Sequence, residues 1–200
     1  MTKILNRLVG TFTLLFVLCP IAALAAPAQV IIIRHGEKPS QGNELNKQGW
    51  QRARALVDVF KNNAQFNSYG PAVAIYAQKP KDSQGSVRSI QTVTPLAQSL
   101  GLAVDSFFLR TQQVQLANDI LHDHRYDGRM VVICWEHKAI PGIVEAFGYL
   151  DGPSEWDGDD VYDRAWVLNF SGDQVVSFAD LPEQALPGDS TRQGLQQGSP

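Results

Sequence analysis

The sequence predicts an α/β fold, a three-layer α/β/α sandwich around a mostly parallel central sheet, and three observations carry that prediction. Two short runs, Val30 to Ile33 and "RMVVICW" from Arg129 to Trp135, are nearly all apolar and rich in β-branched residues. Strands buried on both faces read this way, and such strands belong to parallel sheets covered by helices. Segments with apolar residues at helical spacing alternate with the strand-like runs. At the carboxyl end of each apolar run the chain turns abruptly to charge, Arg34-His35-Gly36-Glu37-Lys38 after the first and Glu136-His137-Lys138 after the second. That end of an open α/β sheet is where ligands bind.

The first 25 residues stand apart from this pattern. Lys3 and Arg7 precede an apolar run, Leu8 to Leu24, that closes on Ala23-Leu24-Ala25, the small-x-small pattern of a signal peptidase site. Residues 1–25 are therefore expected to be a secretory signal peptide, cleaved before Ala26, which puts the mature protein in the periplasm or outside the cell. An uncleaved anchor is the competing reading, and Pro20 with the alanine-rich end argues for cleavage. No stable membrane association is expected after cleavage. The whole chain holds 17 basic and 20 acidic side chains, a formal charge of −3; without Lys3 and Arg7 the balance is 15 against 20, or −5. Nucleic acid is thereby excluded as a natural partner. Only Cys134 follows the cleavage point, so no internal disulfide forms even in an oxidising compartment, and stability must come from packing. With 44% hydrophobic residues, one globular domain over 26–181 is expected.

Each element of that domain has its own signal. After the first strand, Leu45 to Phe60 carries Ala53, Leu56, Val57 and Phe60 on one helical stripe. A short strand at Ala72 to Tyr76 follows. Val87 to Leu100 has Ile90, Val93, Ala97 and Leu100 on a stripe interrupted by Pro95, which predicts a kink or a restart capped by Thr94. Val104 to Phe108 reads as a strand and Gln112 to Leu121 as a helix. Beyond the second buried strand, Ile140, Ile143, Val144 and Phe147 repeat the helical stripe up to Gly148. Ala165 to Phe170 and Gln174 to Phe178, joined by "SGD", read as a hairpin or edge pair. Residues 182–200, rich in Pro, Gly, Gln and Ser, are expected to be a flexible tail.

The charged groups suggest one site. Arg34 and His35 end one buried strand, Glu136 and His137 end another, and Arg88 opens a helix. Arginine guanidiniums make bidentate contacts with phosphate oxygens. Histidines serve as nucleophile or as charge stabiliser near neutral pH. A helix starting after His137 would also aim unpaired N–H groups at an anion.

In these residues the chain resembles the histidine phosphatase superfamily, the group that contains phosphoglycerate mutases and acid phosphatases. The resemblance rests on "RHG" after a strand, "LNKQGWQRARAL" at Leu45 to Leu56, "SVRSIQTVTPLA" around Arg88 and "WEHKAI" around His137, and it covers most of 29–150. It implies a phosphohydrolase for phosphate monoesters or related phosphoryl compounds, with a small phosphorylated substrate and no cofactor or metal. His35 would be the nucleophile that forms a phosphohistidine. Arg34, Arg88 and His137 would hold the phosphoryl oxygens, and Lys38 stands where one branch of the family has a further arginine. Mutase chemistry is a less apt variant for an exported enzyme. The alternative is an exported module that binds a phosphorylated ligand in the same pocket without turnover.

The proton donor is left between Glu136 and Glu37. In one branch of the family it comes from the region corresponding to 105–127, which has no glutamate here; in another it is an aspartate directly after the second histidine, where this chain has Lys138. "LHDHRYDG", with His122 and His124, does not have the i, i+4 spacing of a helical zinc site. "EWDGDDVYD", Glu155 to Asp163, lacks the ordered spacing of a calcium loop and reads as an acidic surface loop bordering the pocket. Trp50, Trp135, Trp156 and Trp166 read as core or pocket wall. Neither the substrate nor an oligomeric state follows from the sequence.

Overall fold

The strands Gln29–Arg34 (β1) and Met130–Trp135 (β4) form adjacent parallel partners at the centre of the sheet, with Arg34 opposite Trp135 in the register. This is a computed structural model that describes residues 26–194 and the backbone of 196–198. The expected signal peptide, 1–25, lies outside the described residues. No helix among the described residues is long and apolar enough to cross a membrane.

Around that centre the remaining elements are α1 (Lys47–Asn62), β2 (Ala74–Ala77), α2 (Arg88–Leu100), β3 (Val104–Asp105), α3 (Gln113–His122), α4 (Ile140–Ala146), β5 (Arg164–Ser171), β6 (Gln174–Pro182) and β7 (Gln196–Gly198). The sheet runs β3-β2-β4-β1-β5-β6-β7; its first four strands are mutually parallel, and β5, β6 and β7 continue it antiparallel. Because successive strand residues face opposite ways, the apolar runs feed two cores. Ile31, Ile33, Val132 and Cys134 pack with Leu56 and Phe60 of α1 and Val93 and Leu96 of α2. Val30, Ile32, Val131, Ile133 and Trp135 pack with Leu116 and Ile120 of α3 and Ile140 and Ile143 of α4. The three-layer α/β/α sandwich is thus the observed architecture.

Several local expectations need correction. Helix α2 runs unbroken through Pro95, and the Thr94 hydroxyl donates to the Ile90 carbonyl at 2.7 Å instead of capping a new helix. Burial of Val93, Leu96 and Ala97 in one core outweighs the loss of a single backbone donor. The strand expected at Val104 to Phe108 forms only at Val104–Asp105. The hairpin is present but is no edge pair, since β5 lies against β1 and β6 is covered by β7.

The segment expected to be a flexible tail is anchored at several points along its described length. Pro182 ends β6, Glu183 is 1% exposed, Asp189 bonds Arg52 at 2.9 Å, and the Gly194 N–H donates to the Asp180 carbonyl at 2.9 Å. Composition misleads here because a single buried carboxylate with a buried arginine anchors a segment regardless of the residues around it.

Candidate active site

Parallel neighbours put their carboxyl ends at the same edge of the sheet, so β1 and β4 deliver Arg34-His35 and Glu136-His137 side by side. The His35 N–H donates to the Trp135 carbonyl at 3.1 Å, which extends the ladder one residue into the site. Helix α2 joins them. The Gly36 N–H donates to the Thr92 hydroxyl at 2.8 Å, and that hydroxyl donates to the Arg88 carbonyl at 2.8 Å. One threonine therefore links the turn after β1 to the residue that opens α2.

Helix α1 presses on the same turn. Asn46 caps it, accepting from the Gly49 N–H at 2.8 Å. A Cβ on Gly49 would collide with the Glu37 carbonyl oxygen and lie 2.9 Å from the Glu37 nitrogen, and one on Gly36 would lie 3.1 Å from Gly49. The two glycines allow helix and turn to touch.

His35 is 5% exposed, and its Nδ1 lies 2.8 Å from the Gly36 carbonyl oxygen. A carbonyl only accepts, so Nδ1 carries the proton and Nε2 keeps its lone pair. Burial pushes the imidazole down to about 4; the Gly36 carbonyl opposes this, and the charges of Arg34 and Arg88 add to it. Near neutral pH the ring is an uncharged base between two guanidiniums.

Arg34 is fully buried, and its guanidinium lies 3.9 Å from the Tyr162 ring centroid. It donates to the carbonyls of Gly158 at 3.3 Å, Asp159 at 2.6 Å and Val161 at 2.8 Å, while its buried Nε–H has no partner among the described residues. Arg88 donates to the Glu44 carbonyl at 3.1 Å and to the Gly42 carbonyl. Burial lowers the pKa of both arginines from the ordinary value.

His137 is 7% exposed. Its Nε2 lies 2.7 Å from Asp159 Oδ1, and its Nδ1 is 3.0 Å from Glu136 Oε1 without the angle of a hydrogen bond. Glu136 meets Arg110 Nε at 2.7 Å and accepts from the Lys138 N–H at 3.2 Å. Burial pushes its carboxyl up, but Arg110, the Lys138 N–H and His137 together hold it below the ordinary carboxylate range. The Lys138 N–H is thus already capped by Glu136, and α4 is a seven-residue helix starting only at Ile140, so the free helix N-terminus expected after His137 is absent.

The other candidates divide. Lys38 is exposed and makes no ion pair among the described residues. Glu37 is turned into a buried cluster with Arg52, Glu183 and Asp189, at 2.8 Å from Arg52 Nη2. His122 meets the Asn118 carbonyl and His124 meets Asp127, and no group of three or more His, Cys, Asp or Glu among the described residues is arranged for a metal ion. Sequence reasoning missed Arg52, Thr92, Asp159 and Tyr162. Only the acidic run "GDDVYD" hinted at the last two. His137 and Asp159 also border a cavity of about 1180 Å³ that extends past Trp156 to Arg164 and Arg192.

No protein-family model and no curated protein matches the chain. Solved structures do. A phosphoserine phosphatase variant from Entamoeba histolytica, in complex with phosphoserine, aligns with a TM-score of 0.50 at 16% identity, over 79% of this chain and 98% of that one. A mycobacterial glucosyl-3-phosphoglycerate phosphatase aligns at 0.49 and 14% identity, over 71% and 92%. The α-ribazole phosphatase of Shigella flexneri aligns at 0.49 and 10%, over 73% and 92%. At such identities the likeness is one of architecture: the chain shares its α/β sandwich fold with the phosphoserine phosphatase variant.

Proposed function

We propose that the protein is an exported phosphohydrolase that cleaves phosphate monoesters through a phosphohistidine at His35. The observation that carries this reading is His35 itself: a buried, uncharged imidazole with its proton on Nδ1 toward the Gly36 carbonyl, subject to the charges of Arg34 and Arg88. Nε2 attacks phosphorus, the P–O bond to the leaving group breaks, and the departing alkoxide takes a proton. Water then attacks the phosphohistidine, its proton passes to the Glu136 carboxylate, the P–N bond breaks, and phosphate leaves with His35 neutral and Glu136 protonated again. Charge spreads over three phosphoryl oxygens in each step, so fixed positive groups account for most of the acceleration. Arg34 and Arg88 supply that positive charge, His137 adds a hydrogen bond to a phosphoryl oxygen, and Lys38 contributes from the turn after His35.

Glu136 supplies the proton. Glu37 is removed from that role by its bonds to Arg52, whereas Glu136 adjoins His137, and its charge acts on both His35 and Arg34. A phosphate dianion arriving beside it raises its pKa by like-charge repulsion, so it gains its proton with the substrate. Export is supported by Lys3, Arg7, the apolar run and Ala23-Leu24-Ala25.

Quenching the enzyme with a ³²P-labelled phosphate ester should trap an acid-labile, base-stable adduct that His35→Ala abolishes. Turnover by His35→Ala would refute the mechanism. Phosphate binding without turnover in the unmodified protein would favour the binding-module reading.

A further inference from the structure

Building on that phosphatase reading, we infer that the acidic segment Asp157–Asp163 is a resident anion plug: Asp159 and the Gly158 carbonyl hold the place of a substrate phosphoryl group on His137 and Arg34, and must leave for substrate to enter. Two of the groups assigned to phosphate are engaged by this one segment. The Asp159 carboxylate sits 2.7 Å from His137 Nε2, and the carbonyls of Gly158, Asp159 and Val161 accept from the Arg34 guanidinium. The chemistry imitates the ligand, since a carboxylate oxygen and three carbonyl oxygens are anionic or negative-dipole acceptors aimed at cationic donors.

The imitation is incomplete. Of the five N–H donors of Arg34 the segment engages three, and the buried Nε–H has no partner among the described residues. An unmet buried donor is costly, and a phosphoryl group brings three oxygens and two charges where the segment brings one carboxylate. Substrate therefore wins the exchange on both counts. The two anions exclude each other, because a carboxylate and a phosphate dianion on the same imidazole nitrogen repel strongly.

The tip of the segment lies at the surface. Asp159 has a side chain 72% exposed, and the preceding Gly158 has φ +97, a left-handed backbone state that favours glycine and forms the turn presenting Asp159. The Val161 carbonyl accepts from the indole N–H of Trp156, 5% exposed, at 3.0 Å as well as from Arg34, so that end of the segment stays in place and the exchange is confined to Gly158 and Asp159. The exchange also selects: a phosphate monoester dianion displaces a carboxylate better than a diester monoanion does. The bond to His137, with Lys138 adding, keeps the Asp159 carboxyl below the ordinary carboxylate range, so it faces His137 as an anion.

The test uses the mature chain, its Asp159→Asn variant, which keeps the shape and loses the charge, and Asp159→Glu, which keeps the charge. Binding of inorganic phosphate is measured by titration calorimetry at neutral pH, and turnover is measured on an alkyl and an aryl phosphate. Asp159→Asn should bind phosphate about tenfold more tightly or better, the size of one charge-assisted hydrogen bond no longer in competition, with KM falling more than kcat changes. Asp159→Glu should stay close to the parent. Unchanged or weaker phosphate binding by Asp159→Asn overturns the plug and makes Asp159 a residue that positions His137. A kcat loss confined to the alkyl ester, at constant phosphate affinity, overturns it and makes Asp159 the proton donor. Tighter phosphate binding in a protein that turns over no ester leaves the plug standing and removes the phosphatase reading; turnover with unchanged phosphate affinity does the reverse.

Discussion

Replacing Arg52 with methionine removes the cation that Glu37, Glu183 and Asp189 share behind the turn that follows His35. The guanidinium lies 2.8 Å from Glu37, 3.1 Å from Glu183 and 2.9 Å from Asp189, with side-chain exposures of 3% for Arg52 and 10%, 0% and 8% for the carboxylates. Methionine keeps most of the apolar stem, so the loss is chiefly of charge. Deleting one partner of a buried ion pair costs about 3–5 kcal/mol because the other charge is left without compensation. Glu183 softens this by protonation: burial, with Asp189 and Asp163 adding against Arg52, already pushes its carboxyl up to about 8. Asp189 does not. Burial raises its pKa, but Arg52 and the N–H groups of Leu186 and Ala185 outweigh that and hold it below the ordinary value of 3.8.

A penalty of about 3 kcal/mol, with a urea slope of about 2 kcal/mol per molar, lowers the unfolding midpoint by about 1.5 M. The sign of the pH dependence follows from Asp189. A carboxylate with a depressed folded pKa stabilises above its unfolded pKa, and that stability is lost as pH falls through the folded value. The gap between parent and variant is therefore widest near neutral pH and narrows below about pH 4. Urea melts of both proteins at pH 7 and pH 3.5 measure it. A gap under about 1 kcal/mol at pH 7, or one of equal size at both pH values, would refute the claim that uncompensated charge is what Arg52 prevents.

Three further outcomes follow from the site. Glu136→Gln should lose about a hundredfold or more on an alkyl phosphate and far less on an aryl phosphate with an acidic leaving group; equal losses on both would reduce Glu136 to shaping the pocket. His35, held near 4 against 6.5 in the unfolded chain, binds less proton when folded between those values, so stability is full above pH 6.5 and falls as pH drops through the window. His35→Asn should therefore be relatively more stable at pH 4.5 than at pH 7, by about 2–3 kcal/mol, and an identical difference at both pH values would contradict the burial argument. Gly49→Ala drives a methyl into the Glu37 backbone and should destabilise by about 1–3 kcal/mol while lowering kcat, since the same turn carries His35; normal stability and rate would mean that α1 does not fix the turn.

The α/β/α class and the two central strands could be read in the sequence because each is a local signal. An apolar β-branched run dictates a buried strand wherever it stands, and Arg34, His35, Glu136 and His137 are tied to strand ends by chain continuity alone. Arg88 likewise opens its helix by position. What tertiary structure decided is everything that depends on partners distant in sequence. Arg52 sits on an apolar helical stripe and looks like an exposed residue until Glu183 and Asp189 arrive from more than a hundred residues away. The same event turned an apparent tail into anchored chain and took Glu37 out of the chemistry. Pro95 did not break its helix because burial of the stripe, which no local propensity measures, decided the matter. The acidic run at Asp157 to Asp163 reads as solvated surface by composition. Its backbone carbonyls, invisible in any residue pattern, are what reach Arg34, and that contact exists only once β1, β4 and the segment leading into β5 share one edge of the sheet.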